Sequence, residues 1–317
     1  MKICIISYDF FGYDKHIILE LQKNGVETTH IDLNKHKFSY SSYSQKVYNF
    51  FSKIFLNRNL KKVKLNQFIF NQLDHIGYQD QILVIRPDLI SKKAHLKIKK
   101  YTSVYNCYLY DSSKRFKIKH LTKNIFDNIY SYDLDDIKKF NFIPLTNYIF
   151  IDKIIVQKKY QNTIFLVMSL DERLPILCQI LEQLEKINIK SKCIVVSNHN
   201  YRPENTNKNI EFRKDKIPAI KVEEMMKNSE IFLDLIRKNH TGLSFRIFEA
   251  LAMQRKIITT NQSIKNYDFY NPNNILVINE NNIKINKSFF ETSYQPLKDE
   301  IYYKYTIQNW VKTIFNL

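Results

Sequence analysis

Short apolar runs alternate with amphipathic stretches along this chain, and their order predicts an α/β protein. Residues 2–7 (KICIIS) read as a buried strand and residues 8–15 (YDFFGYDK) as the loop leaving it. Ile17, Ile18 and Leu21 then recur at helical spacing, with Gly25 placed to end that helix. Further strands are expected at 26–33, at 82–85 (stopped by Arg86-Pro87), at 104–110 and at 128–132. Asp133 is placed to cap a helix through residue 139. The pattern restarts after a linker near 147–162. Strands follow at 163–168, 193–197, 231–235 and 256–259, with helices at 175–187, 221–227 and 243–253 and a polar loop at 198–209. Tyr303, Ile307, Trp310, Ile314 and Leu317 recur at steps of four and three, which predicts one helix over 301–317.

Strands alternating with helices imply right-handed crossovers and parallel sheets. At 317 residues the chain exceeds one core. The expected architecture is two Rossmann-like domains, 1–150 and 151–300, followed by a C-terminal helix over 301–317 that is free to return to the first domain.

Composition narrows the class. With 44% hydrophobic and 14% aromatic residues the sequence can fill two cores, so it is not a disordered chain. The abundance of Asn, Lys, Ile, Tyr and Phe matches the coding bias of an AT-rich genome and carries no separate weight. No apolar run approaches the roughly 18 residues that a spanning helix needs, and residues 1–7 are too short for a secretory leader. Cys4, Cys107, Cys178 and Cys193 lie far apart without a CxxC pair and read as reduced thiols, which fits the cytoplasm. Only four glycines occur, Gly12, Gly25, Gly77 and Gly242. Neither GxGxxG nor GxxxxGK[ST] can be written with them, which argues against dinucleotide dehydrogenases and P-loop enzymes. Each glycine is expected where φ is positive or where a side chain would clash.

The segment 239–252 (NHTGLSFRIFEALA) follows the strand at 231–235 and opens a helix. Gly242, Arg246 and Glu249, spaced four and three apart, are expected on one face near its start, with Phe245, Phe248 and Ala252 as an apolar stripe. A helix N-terminus presents unpaired N–H groups and a positive dipole end, which suits a diphosphate. Arg246 can add a charge-assisted hydrogen bond, and Glu249, one turn deeper, can accept from ribose hydroxyls. The alternative is a surface helix decorated with an Arg–Glu pair.

Residues 240–261 (HTGLSFRIFEALAMQRKIITTN) resemble the donor-binding segment of GT-B glycosyltransferases, in particular bacterial lipopolysaccharide and capsule enzymes and the CgeB-like group. Residues 264–275 and the opening 25 residues are similar to the same enzymes. The resemblance implies two Rossmann-like domains facing across a cleft and a nucleotide-sugar donor held by the second domain. It implies Glu249 on the ribose, and Thr241, Gly242, Leu243 and Ser244 on the diphosphate, with His240 beside them and Arg246 in support. It also places a basic residue after the first strand of the second domain against the donor phosphates, a slot that Arg173 fits. His199, after another strand, is a candidate for the nucleobase.

One departure matters. Many retaining GT-B enzymes carry a second glutamate eight positions earlier, where this chain has Thr241. The stereochemical outcome stays open, with a tilt toward inversion. Inversion needs a general base near the acceptor hydroxyl. The candidates are Asp9, Asp14 and His16 around the first loop, and Asp111 at the end of the fourth strand. Asp14 reads equally as a helix N-cap. No metal-ligand motif is present: the DLDD run at Asp133, Asp135 and Asp136 sits where a helix starts and reads as capping. No cofactor is expected beyond the nucleotide diphosphate sugar.

The formal net charge is +18. The segment from Lys46 to Lys64 reads as a basic amphipathic helix, with Val47, Phe50, Phe51, Ile54 and Phe55 on one face, suited either to an anionic membrane surface or to core packing. Two more basic stretches, 92–100 and 114–119, lie in the same half, the acceptor side on the GT-B reading. The expected protein is a metal-independent glycosyltransferase acting on a glycan or lipid-linked acceptor, such as lipopolysaccharide or capsule, at the inner face of the cytoplasmic membrane. The rivals are a basic nucleic-acid-binding protein, which lacks a recognisable nucleic-acid motif, and a non-catalytic GT-B protein.

Overall fold

The computed structural model describes residues 1–9, 12–56, 58–154, 160–197, 203–204 and 206–317. His199 lies outside the described residues. The chain divides into two compact units, 1–146 with 310–317, and 147–309.

In the first unit the strands are β1 (Lys2–Ser7), β2 (Glu27–Asp32), β3 (Gln79–Ile85), β4 (Thr102–Leu109), β5 (Asn128–Ser131) and β6 (Ile143–Pro144). The helices are α1 (Tyr13–Lys23), α2 (Tyr43–Phe55), α3 (Leu60–Ile76), α4 (Lys92–Ile98) and α5 (Leu134–Phe140). All pairings are parallel, in the order β2-β1-β3-β4-β5-β6. The second unit contains β7 (Asn162–Ser169), β8 (Ser191–Val196), β9 (Ile210–Arg213), β10 (Ser229–Asp234), β11 (Lys256–Thr259) and β12 (Ile275–Val277). Its helices are α6 (Leu174–Lys186), α7 (Ala219–Lys227), α8 (Phe245–Ala252), α9 (Ser288–Glu291) and α10 (Asp299–Lys304). This sheet is also wholly parallel, in the order β12-β11-β10-β7-β8-β9, the doubly wound order of nucleotide-binding sheets. A last helix, α11 (Ile307–Phe315), leads the chain back into the first unit.

Strands buried on both faces read as unbroken apolar runs, which is why β1, β7, β10 and β11 fall where the sequence places them. Cys4, Cys107 and Cys193 are buried in β1, β4 and β8, and Cys178 is half-buried on α6; all four are free thiols. Leu177, Ile180, Leu181 and Leu184 of α6 pack one apolar cluster of the second unit, while Ile247, Phe248, Leu251 and Ala252 of α8 pack another.

Three helical expectations need correction. Residues 46–64 do not form one helix: α2 ends at Phe55, and Asn59 caps α3 by accepting from the Lys61 N–H. The expected helix at 301–317 is two. Tyr305 and Thr306 interrupt it, because Ile149 forms a parallel bridge there, donating to the Tyr305 carbonyl and accepting from the Ile307 N–H, each at 2.8 Å. The helix expected from residue 243 starts only at Phe245.

α11 closes one face of the first unit's sheet. The Trp310 indole meets Tyr108 edge-on at 5.1 Å and donates to the Thr146 carbonyl at 3.1 Å. Gln81 and Asn106 donate to the carbonyls of Phe315 and Ile314, supplying partners that the end of a helix lacks.

Candidate functional site

In the second unit the strand order reverses between β7 and β10, and the segments leaving their carboxyl ends meet there, where open α/β sheets bind ligands. Asp234 closes β10. Its carboxylate accepts from Ser244 Oγ at 2.6 Å and from Thr259 Oγ1 at 3.0 Å. The Ser244 hydroxyl is therefore engaged by β10 and does not cap α8. That bond holds residues 242–244 outside the helix, so Gly242 does not share a helical face with Arg246 and Glu249. Nor does Gly242 hold a positive φ; Gly12, Gly25 and Gly77 do.

Three successive carbonyls of this segment are anchored by side chains. Ser263 Oγ donates to the Thr241 carbonyl at 2.6 Å, Asn261 Nδ2 to Gly242 at 3.1 Å, and Asn147 Nδ2 to Leu243 at 2.9 Å. In a planar trans peptide the N–H points opposite to the carbonyl. The amides of Gly242, Leu243 and Ser244 are thus turned away from these anchors. They precede the first turn of α8, whose N–H groups the helix cannot satisfy internally and which carries a positive dipole end. Leu243 contributes backbone only, since its side chain is buried in the core. His240 is half-buried in the loop before them.

Arg246 and Glu249 do pair, at 3.5 Å, but not as a surface decoration. Glu249 is buried, and the Arg246 guanidinium lies 5.2 Å from the Phe165 ring and 5.8 Å from Phe232, a cation–π setting against β7 and β10.

Arg173 stands immediately before α6, after β7, but its guanidinium is engaged. It grips Asp171 with two bonds, at 2.8 and 2.6 Å, and donates to the Leu235 carbonyl at 2.9 Å. Arg237 reaches the same carboxylate at 3.3 Å. Burial acts to raise the Asp171 pKa, but the hydrogen bond and charge of Arg173, with the charge of Arg237, outweigh it and leave the group below its usual range. The clamp ties the β7 and β10 loops together and brings a second cation, Arg237, to the switch point.

In the first unit the order reverses between β1 and β3. Gly12, at φ +80°, takes the capping position of α1, which a side chain would strain. Asp14 is therefore not the N-cap; it lies in the first turn and is buried. Burial, with Asp9 and Asp32 nearby, raises its pKa to about 7 against the opposing hydrogen bond from Ser7. Ser7 Oγ also meets His30 Nε2 at 2.9 Å, and burial lowers the His30 pKa. Asp9 accepts from the Lys15 N–H at 3.2 Å, and His16 is half-buried on α1.

Asp111, beyond β4, is paired with Arg115 at 2.6 Å and accepts from the Ser112 N–H at 3.0 Å. Tyr110, half-buried just beyond β4, feels the charges of Arg86, Asp14 and Asp111. Arg86, at φ +66°, grips Asp88 with two bonds and lies 3.5 Å from the Phe116 ring. The DLDD carboxylates are occupied structurally: Asp133 caps α5 through the Asp136 N–H, Asp135 pairs with Lys114, and Asp136 accepts from Ser113. Among the described residues no three His, Cys, Asp or Glu side chains converge as a metal site.

Sequence reasoning missed Asp171, Asp234, Arg237, His30, Asp32, Arg86 and Tyr110. The available signal was position: Asp32 and Asp234 end strands at a carboxyl edge.

No family profile matches the chain, and no curated protein matches its sequence. Solved structures do resemble it. An alpha-glucosyltransferase in complex with UDP-glucose and abasic DNA superposes with a TM-score of 0.57 at 15% identity, covering 100% of this chain and 94% of that one. The UDP-GlcNAc 2-epimerase of Neisseria meningitidis, bound to UDP-GlcNAc, gives 0.53 at 11%, covering 100% and 99%. The glycotransferase of kitacinnamycin gives 0.52 at 10%, covering 99% and 98%. Two parallel six-stranded sheets with flanking helices, in this sequence order, constitute the GT-B fold.

Proposed function

We propose that the chain is a glycosyltransferase that moves a sugar from a nucleotide diphosphate donor to a surface-glycan acceptor of the lipopolysaccharide or capsule type. The observation that carries this reading is the segment 242–244, its carbonyls anchored by Ser263, Asn261 and Asn147, leading into α8 at the switch point of a nucleotide-type sheet. The amides of that segment, the dipole of α8 and Arg237 meet the diphosphate charge, so the reading needs no metal ion. Glu249 takes the ribose hydroxyls, and Arg246 holds its carboxylate in place.

Transfer by inversion needs a base for the acceptor hydroxyl. Asp14 suits that role best of the four candidates, because a pKa of about 7 lets it accept a proton near neutral pH. Asp111 is less suited, being held by Arg115. On the same reading α2 meets an anionic membrane surface. The fold alone does not select transfer, since an epimerase shares it. The deciding experiment is a nucleotide-sugar panel read by thermal shift and then by hydrolysis or transfer of the sugar. Stabilisation by UDP-, GDP- or TDP-sugars with sugar release supports the transferase; conversion of free UDP-GlcNAc to its epimer points to the other activity of this fold.

A second reading draws on the charge of +18 and on the DNA present with one structural neighbour: a nucleic-acid acceptor. Binding to random oligonucleotides that falls steeply with salt would favour it.

A further inference from the structure

α2 is inside out. Its buried residues are Asn49 and Ser52, whereas Phe50, Phe51, Ile54 and Phe55 are between 51% and 75% exposed. Asn49 explains the orientation: it donates to Tyr40 Oη at 2.8 Å and accepts from the Leu60 N–H at 2.7 Å, fixing the polar side of the helix inward. Beside the helix lies an open groove of about 910 Å³, walled by the end of α2, the start of α3 and α4. Among the described residues, six cations line it, Lys53, Arg58, Lys62, Lys92, Lys93 and Lys97, together with His120 and no carboxylate. None of the six forms an ion pair among the described residues. Like charges gathered around one concavity repel each other unless an anion offsets them. Lys53 of α2 and Leu56, which caps its end, line the groove, so the groove and the apolar face share an edge.

We infer that this groove binds the phosphate of an anionic membrane lipid while the exposed apolar face of α2 enters the adjoining acyl region. A phosphate offers several acceptor oxygens to convergent lysine and arginine donors. The aromatic and aliphatic side chains beside it match a membrane interface better than a soluble phosphate, which would leave them in water. The inference deepens the membrane clause of the proposed function and rests on it.

Flotation with vesicles of phosphatidylcholine, alone or mixed with phosphatidic acid, tests both levels. The groove variant K62Q/K93Q/K97Q is compared with K61Q/K64Q/K100Q, which removes the same charge from exposed lysines outside the lining. Thermal melts confirm that both fold. The groove variant should lose at least tenfold in affinity for phosphatidic acid vesicles, and the control less than threefold. Equal losses would reduce the effect to diffuse surface charge and overturn the site. Binding of sn-glycerol 3-phosphate as tight as binding of the vesicles would overturn the lipid assignment. Failure of the parent protein to float with phosphatidic acid would overturn the membrane reading itself, whereas donor affinity, measured separately, tests the transferase reading.

Discussion

Ser244 Oγ donates to Asp234 Oδ1 across 2.6 Å, tying the residue before α8 to the last residue of β10. Thr259 uses the other carboxylate oxygen, so one buried side chain fixes the ends of two strands and the entry to the helix. Asp234→Ala removes the acceptor of both hydroxyls and should cost about 1–3 kcal/mol of stability. It should also weaken nucleotide diphosphate binding more than Ser244→Ala does. Chemical denaturation and isothermal titration on the two variants check the ranking; equal affinities would remove Asp234 from the site.

Glu249→Ala should weaken binding of a nucleotide diphosphate by about 1–3 kcal/mol, the loss of a charged hydrogen bond. Because Arg246 then sits half-buried without its carboxylate, some stability should be lost as well. Titration of the folded variant with unchanged nucleotide affinity would take the ribose role away from Glu249.

Asp14 gives a pH signature. Its pKa is raised in the fold to about 7 from an ordinary 3.8, so the fold favours the protonated form. The associated stability is fully present below about pH 4 and is lost as the pH rises through 7. Asp14→Asn should escape that loss and gain on the wild type by on the order of 3 kcal/mol between pH 4 and 8. If Asp14 is the base, wild-type transfer should rise with pH around a midpoint near 7, and the variant should lose that limb. Denaturation curves at both pH values, with a rate profile, separate the two claims.

On the proposed reading, sugar transfer should survive treatment with EDTA, the diphosphate charge being assigned to the amides before α8 and to Arg237. Recovery of the treated protein only on adding Mg²⁺ or Mn²⁺ would contradict this.

The apolar side chains of α2 should add little to folding. Phe50→Ser and Phe55→Ser should each change stability by less than about 1 kcal/mol, unlike the 3 to 5 kcal/mol typical of a core phenylalanine. Melts of the two variants measure it; a core-sized loss would mean that the face is covered.

What the sequence displayed was the parallel sheet interior, because strands such as KICIIS and KIIT carry an unbroken apolar centre. It also displayed the segment at 239–252 and the capping role of Asp133. Short edge strands escaped it: IEFR of β9 and ILV of β12 are too brief to show a period. Helix breaks escaped it for another reason. The apolar rhythm runs straight through Tyr305 and Thr306, and only pairing with Ile149, distant in sequence, interrupts the helix there. The exposure of α2 was ambiguous for the same reason, since the deciding contacts of Asn49 to Tyr40 and Leu60 are not patterned in the chain. The ion pair of Arg173 was not legible, because its carboxylate partner Asp171, two positions earlier, is as ordinary in a loop as the arginine itself.

The return of residues 310–317 to the first unit sets an order of events during synthesis. The second unit is one uninterrupted stretch and can close as soon as residue 309 has left the ribosome. The first unit, although made earlier, receives Trp310, Ile314 and Phe315 against Tyr108, Asn106 and Gln81 only afterwards. The last segment made is thus packed against the first sheet made, and the first unit is complete only when the end of this sequence has been synthesised.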